Sequence, residues 1–200
     1  MIAVADLTTA AREIERRFGL ASIEGGQHPD WGTANRIVPL GQAYLELVAV
    51  VDEAQAAESV FGRWIASGVS GLGRPLGWAV RTHNLDDVAR RLGVSVDAGS
   101  RTAPSGKLLR WRSAGIEQAA AEPSLPFFIE WGQGTPLPGR MSIRHQVGWA
   151  AIARLVLDAN PGRLATWLGN ESLPVIVRSG TPAVAAIIIS TAEGRIVLGS

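Results

Sequence analysis

The chain of 200 residues contains no cysteine, which excludes disulfide staples, thiol catalysis and thiolate metal sites. The same absence leaves the compartment open, because a cysteine-free protein is stable in any redox environment. A basic block is missing too: 19 Lys and Arg stand against 18 Asp and Glu, both signs scattered, for a formal net charge of +1. Arg12, Arg16 and Arg17 have the spacing of a solvated helix face, so no nucleic-acid partner is expected. Long apolar runs are absent. "AVAAIII" (183–189) is far too short to span a bilayer, and "MIAVADLTTAAREIERR" meets acids too early to supply a signal-peptide core. No membrane partner is expected, and cytoplasmic residence is the default. "GVSGLG" (68–73) lacks the lysine and following helix of a phosphate loop, and no serine sits in a nucleophile elbow. The three histidines lack the close spacing of a metal site. His28, before a proline, reads as a turn residue, His83 as exposed, and His145, beside Arg144, as non-catalytic.

What is present describes a globular chain, 46% hydrophobic and 18% charged, long enough for one domain or two small ones. Three stretches share one grammar of short apolar strand, polar cap, amphipathic helix and glycine: 1–20, 76–94 and 147–170. Asp6, Asn84 and Asn160 stand at the helix N-caps, Pro161 at a first helical position, and Gly19, Gly93 and Gly169 at the stops. Trp78 and Trp149 occupy equivalent "GWA" positions and read as core. Strand candidates follow at 33–39 and 43–51, at 107–113 and 126–131, and at 174–178, 183–190 and 194–198. The third unit thus reads strand, helix, strand, strand, strand, and the first two are taken as copies of the same repeat, with two of their three later strands marked. A helix is expected over 54–68, anchored by Phe61, Trp64 and Ile65, and the Gly/Pro loop 132–144 separates a paired first part from the third unit.

One residue is out of keeping with its strand. "AYLELVAV" (43–50) is apolar except for Glu46, and a buried carboxylate must be paired, neutralised, bound to a metal or turned toward a wet cavity. Pairing with Arg36 or Arg110 is the structural option. A cavity role would bring Glu46 together with Glu130 of "FFIEWG" and with polar contacts from Thr33 and Asn35. Trp111 and Trp131 would supply aromatic walls, Trp31 would contact the substrate from the turn into strand 33–39, and Arg110 could meet an acidic ligand.

The stretches "AVADLTTAAREIERRFGL", "HPDWGTANRIVPLGQAYLELVAV" and "GWAVRTHNLDDVARRLG" leading to "LPFFIEWG" resemble the glyoxalase-like domains of the vicinal oxygen chelate superfamily. The resemblance covers about residues 1–133 and implies an α+β fold of tandem βαβββ modules, their sheet curled around a cavity. The first module is expected at about 1–53, the linker helix at 54–68 and the second module at about 76–133. Residues 145–200 are expected to form a third module of similar type. The resemblance further implies a divalent-metal site with ligands on the first and last strands of each module. Glu46 and Glu130 match the last-strand positions and would be both catalytic groups and ligands, with magnesium or manganese favoured by hard oxygen donors. Gly77, at the first-strand position of the second module, has no ligand atom. The function so implied is lyase or isomerase chemistry on a small carbonyl-bearing or acidic metabolite. The alternatives are a metal-free small-molecule binder and an oligomerisation scaffold. The apolar third unit, without a module of its own kind to pair with, leads to the expectation of a homodimer.

Overall fold

A computed structural model describes residues 1–69, 72, 74–104, 106–169 and 171–199; part of the "GVSGLG" stretch lies outside the described residues. The first unit comprises strand β1 (Ile2–Ala3), helix α1 (Leu7–Phe18) and strands β2 (Ile23–His28), β3 (Thr33–Leu40) and β4 (Ala43–Val50). Helices α2 (Glu53–Glu58) and α3 (Val60–Ser67) follow. The second unit is β5 (Ala79–Arg81), α4 (Leu85–Leu92), β6 (Val96–Thr102), β7 (Leu108–Ala114), α5 (Ile116–Ala121) and β8 (Phe127–Trp131). The third is β9 (Ala150–Asp158), α6 (Pro161–Leu168), β10 (Val175–Arg178), β11 (Ala183–Thr191) and β12 (Gly194–Gly199).

The helix signals act much as the sequence implies. Asp6 accepts from the Thr9 N–H at 2.7 Å and Asn160 from the Arg163 N–H at 3.0 Å, each satisfying an orphan donor of its helix. Asn84 departs from this: its side chain turns to Asp87 and makes no cap bond, and the Glu130 carboxylate instead accepts from the Leu85 N–H at 3.4 Å. The expected linker helix is two helices, broken at Ser59, whose hydroxyl accepts from the Gly62 N–H at 2.8 Å and so caps α3.

Eight strands form one curled sheet in the order β1-β4-β3-β2-β6-β7-β8-β5, so the second unit repeats the first across the β2–β6 junction. In each unit the first strand pairs in parallel with the last. Curling brings the two outer strands near one another, with the Leu76 N–H donating to the Met1 carbonyl at 2.9 Å. Period-two alternation divides the side chains. Leu45, Leu47 and Ala49 of β4 meet α1 through Ala10 and Ile14, whereas Val48 meets Phe61, Trp64 and Ile65. Helix α3 thus packs on the concave face, each of its anchors contributing about 2 kcal/mol by burial.

The third unit has the expected order of elements but a different wiring. Its sheet runs β10-β9-β11-β12, with the first strand inside the sheet, parallel to β10 and antiparallel to β11. β1 and β5 are 2 and 3 residues long, whereas the 9 residues of β9 offer a full ladder on both edges. The inner face of this sheet is covered within the chain: Leu157, Val184, Ile187 and Ile189 share one core with Leu40, Leu45 and Trp78. Its outer face keeps Ile176 and Val197 at 42% and 54% exposure. Trp149 is 61% exposed, unlike Trp78, whose indole N–H donates to the Ser124 carbonyl at 3.1 Å. Among the described residues no helix is long and apolar enough to cross a membrane.

Candidate active site

Glu46 stands on the concave face of β4, where two connected recesses meet. The inner one, about 30 Å³, is bordered by His28, Asn35, Arg101 and the rings of Trp31, Phe61 and Trp111. The outer one, about 350 Å³ and largely apolar, opens between β4 and β8 and runs to Leu155, Leu173 and Val175 of the third unit. Tyr44, Glu46, Ile129 and Trp131 line both. The aromatic walls are tightly set, with Trp31 and Phe61 ring centres 4.5 Å apart and Trp111 and Trp131 5.5 Å apart.

The polar groups form a chain across three strands. The Asn35 amide donates from Nδ2 to Glu46 and accepts at Oδ1 from Arg101 Nη1 at 3.3 Å. Asn35 lies on β3 and Arg101 on β6, with β2 between them. They meet because β2 carries glycine there: a Cβ on Gly25 would fall 1.9 Å from Asn35 Oδ1 and 2.6 Å from Arg101 Nη1. Likewise Trp111 lies flat over its cross-strand partner Gly99, whose Cβ would fall 2.4 Å from the indole. Glu46 is therefore held by an amide and faces a guanidinium one residue removed, which tolerates its charge in an apolar strand. Neither arginine anticipated as its partner serves: Arg36 donates to Ser22 at 3.0–3.1 Å, and Arg110 is exposed on the other face.

Burial sets the protonation of the surrounding groups. The His28 imidazole, sealed among Trp31, Phe61 and Trp111 and facing the Arg101 charge, has its pKa pushed down to about 3 and is neutral. Burial and the Glu46 charge push the Tyr44 phenol up, so it stays a hydrogen-bond donor. Burial pulls Arg101 down, opposed by Glu46 and Tyr44.

Of the residues singled out in the sequence, Glu46, Asn35, Trp31, Trp111 and Trp131 meet in this cavity. Glu130 does not. It alternates out of phase with Ile129 and Trp131, points to the helix-bearing face, and joins Arg112 and the start of α4. Arg110 likewise leaves the cavity because it is one residue out of phase with Trp111. Thr33 stands behind His28, bonded to its Nδ1 at 3.0 Å, and orients the ring without bordering the recess. His28, expected in a turn, ends β2 and is a buried wall of the cavity. His145 is structural: Nδ1 accepts from the Ala21 N–H at 3.1 Å and Nε2 donates to the Pro39 carbonyl at 2.8 Å. Arg101 and Tyr44 were not anticipated. Arg101 sits in "VDAGSRT", whose polar, glycine-containing pattern does not read as a strand.

The donor set does not fit the implied divalent ion. Glu46 and Glu130 lie on opposite faces of the sheet, and Arg101 brings a cation to the carboxylate that would remain. A Cβ on Gly77 would fall 2.5 Å from the Trp64 ring, so a ligating side chain has no room at that first-strand position. Among the described residues no three His, Asp or Glu side chains are grouped to hold a metal.

The sequence profile of the family described as "Glyoxalase-like domain" matches residues 1–172, running through the eight-stranded sheet into the third unit. A crystal structure of a hypothetical protein from Staphylococcus aureus superposes with a TM-score of 0.66 at 14% identity, covering 91% of this chain and 88% of that one. That share is too large for the eight-stranded sheet alone, so the fold in common includes the third unit. Methylmalonyl-CoA epimerase from Mycobacterium tuberculosis is similar at TM-score 0.42 and 21% identity, over 64% of this chain and 81% of that one. A variant of the Streptomyces coelicolor epimerase, in complex with 2-nitronate-propionyl-CoA, gives 0.46 and 19%, over 68% and 94%. No protein of curated function is significantly similar to the chain.

Proposed function

Because the chain belongs to the family of glyoxalase-like domains, we propose that it is an isomerase-type enzyme that moves a proton next to a carbonyl of a small metabolite. The observation that carries this reading is Glu46: a single carboxylate, oriented by Asn35, at the junction of a small recess and an apolar cleft. With a substrate in the cleft, Glu46 takes the proton from the carbon beside the carbonyl. The C–H electron pair moves into an enolate whose oxygen accepts from the Tyr44 phenol. Glu46 then returns the proton, on its own face of the enolate, to the neighbouring carbon, so no redox partner is required. The chemistry is assigned to these side chains alone, since Glu46 and Glu130 face opposite sides of the sheet and, among the described residues, no donor set fits a divalent ion.

The test is hydrogen exchange. A panel of small 2-oxo and 2-hydroxy carbonyl compounds is incubated with the protein in D₂O and followed by NMR. Exchange of one C–H for C–D is expected, and Glu46→Gln should slow it by about 10²–10⁴-fold, the usual worth of a general base. Absence of exchange across the panel, or undiminished exchange in the variant, would overturn the proposal. The close aromatic packing around the inner recess favours one second reading, a binding protein that sequesters a flat ligand. Saturable binding without exchange would select it. The working unit is taken to be a cytoplasmic homodimer closed across the outer face of the third sheet, where Ile176 and Val197 stand uncovered.

A further inference from the structure

Arg101 is only 3% exposed, yet among the described residues it forms no ion pair. Its one protein hydrogen bond runs from Nη1 to the neutral Asn35 amide, and its Nε is buried with no partner at all. A buried cation with an orphaned donor is costly, and a protein keeps one where something else supplies the acceptor. Neighbouring groups do not. His28 and Tyr44 make no hydrogen bond to it, and Glu46, whose charge favours the guanidinium, is held by Asn35 and does not bond it directly. With Nη1 engaged by Asn35, Arg101 keeps the donors of Nη2 free for a charge-assisted bond to a carboxylate in the recess it borders. The recess beside it, about 30 Å³, exceeds the roughly 10–15 Å³ one water needs and suits a group of two or three atoms.

From this geometry we infer that the inner recess is a carboxylate subsite: Arg101 holds the acid group of the ligand while its apolar remainder lies in the outer cleft. The inference rests on the cavity reading above and adds its substrate class, a small carboxylic acid with an apolar tail. Gly25 is part of the device. Without a side chain it lets Asn35 and Arg101 meet across β2, so the amide occupies Nη1 and leaves Nη2 to the ligand.

Hexanoate and hexanamide test this, since they differ in charge but hardly in shape, and neither carries the activated C–H that the proposed reaction needs. Binding is read from the fluorescence of the tryptophans around the recess. Hexanoate should bind at least tenfold more tightly than hexanamide to the unaltered protein, a comparison that depends on no variant folding. Arg101→Met should bring hexanoate down to the level of hexanamide and leave hexanamide unchanged. Gly25→Ala should weaken hexanoate in the same direction. Equal binding of both probes, no binding of either, or a hexanoate preference that survives Arg101→Met would overturn the subsite. The two proposals fail separately. Preference for hexanoate without hydrogen exchange on any substrate removes the isomerase and keeps the subsite; exchange without the preference does the reverse.

Discussion

At the scale of single residues, the site is built by burying polar groups in pairs and leaving a few exceptions. His28 is the clearest case that a solution measurement can read. Its pKa is about 3 in the fold against 6.5 when free, so on acidification the unfolded chain takes up the proton first. The stability it contributes is fully present above pH 6.5 and is lost as pH falls from there toward 3, by up to ~1.4 kcal/mol per pH unit. Urea unfolding at pH 7.5 and pH 5 should therefore show the unaltered protein losing about 2 kcal/mol more than His28→Gln. Glu130 makes the opposite prediction. It pairs with the half-exposed Arg112 and supports the start of α4, so Glu130→Gln should cost about 1 kcal/mol after allowance for solvent screening. It should leave Glu46-dependent exchange unchanged, which the same NMR assay would report.

At the scale of elements, glycines decide where chains approach. Gly32 ends the short turn after β2 at φ +63°, and its carbonyl accepts from the Val51 and Asp52 N–H groups at 2.9 and 3.1 Å. A Cβ there would lie 2.4 Å from Ala56 N and from Asp52 O, so the first turn of α2 is seated directly on it. Gly32→Ala adds the cost of a left-handed alanine to that of overpacking, together about 2–4 kcal/mol. Because α2 leads into α3, whose Phe61 walls the inner recess, the variant should also weaken hexanoate binding. Denaturation midpoints and the fluorescence titration check both effects.

At the scale of the whole molecule, the third unit covers the helix-bearing side of the eight-stranded sheet and supplies one wall of the outer cleft. It leaves its own outer face uncovered, with free edges at β10 and β12. The proposed dimer closes that face. Sedimentation at tens of micromolar should give twice the chain mass, and Val197→Glu, which places a charge on that face, should shift it to the monomer with little loss of thermal stability. A monomeric unaltered protein would remove the dimer from the reading.

The sequence by itself determined α1, α4 and α6, their ends and most of the strands, because these depend on local signals: caps at Asp6 and Asn160, stops at Gly19 and Gly93, and apolar runs in β4 and β8; α5 and the break at Ser59 were not read from it. It also marked Glu46, since one carboxylate in an apolar strand is locally anomalous. β2 and β6 escaped notice because "IEGGQH" and "VDAGSRT" are weak strand formers, and the reason is tertiary: their glycines make room for Asn35, Arg101 and Trp111 arriving from neighbouring strands. The pairing of Glu46 with Glu130 went astray through phase, because strand position alone does not say which face of a curled sheet encloses the cavity. In β4 the even-numbered residues face inward, whereas in β8 the odd-numbered ones do. Which face closes is decided by α3 packing on one side and α1, α4 and the third unit on the other. Contacts at that range leave no mark on the spacing of residues within a strand, and so it took the folded chain to put Arg101 beside Glu46.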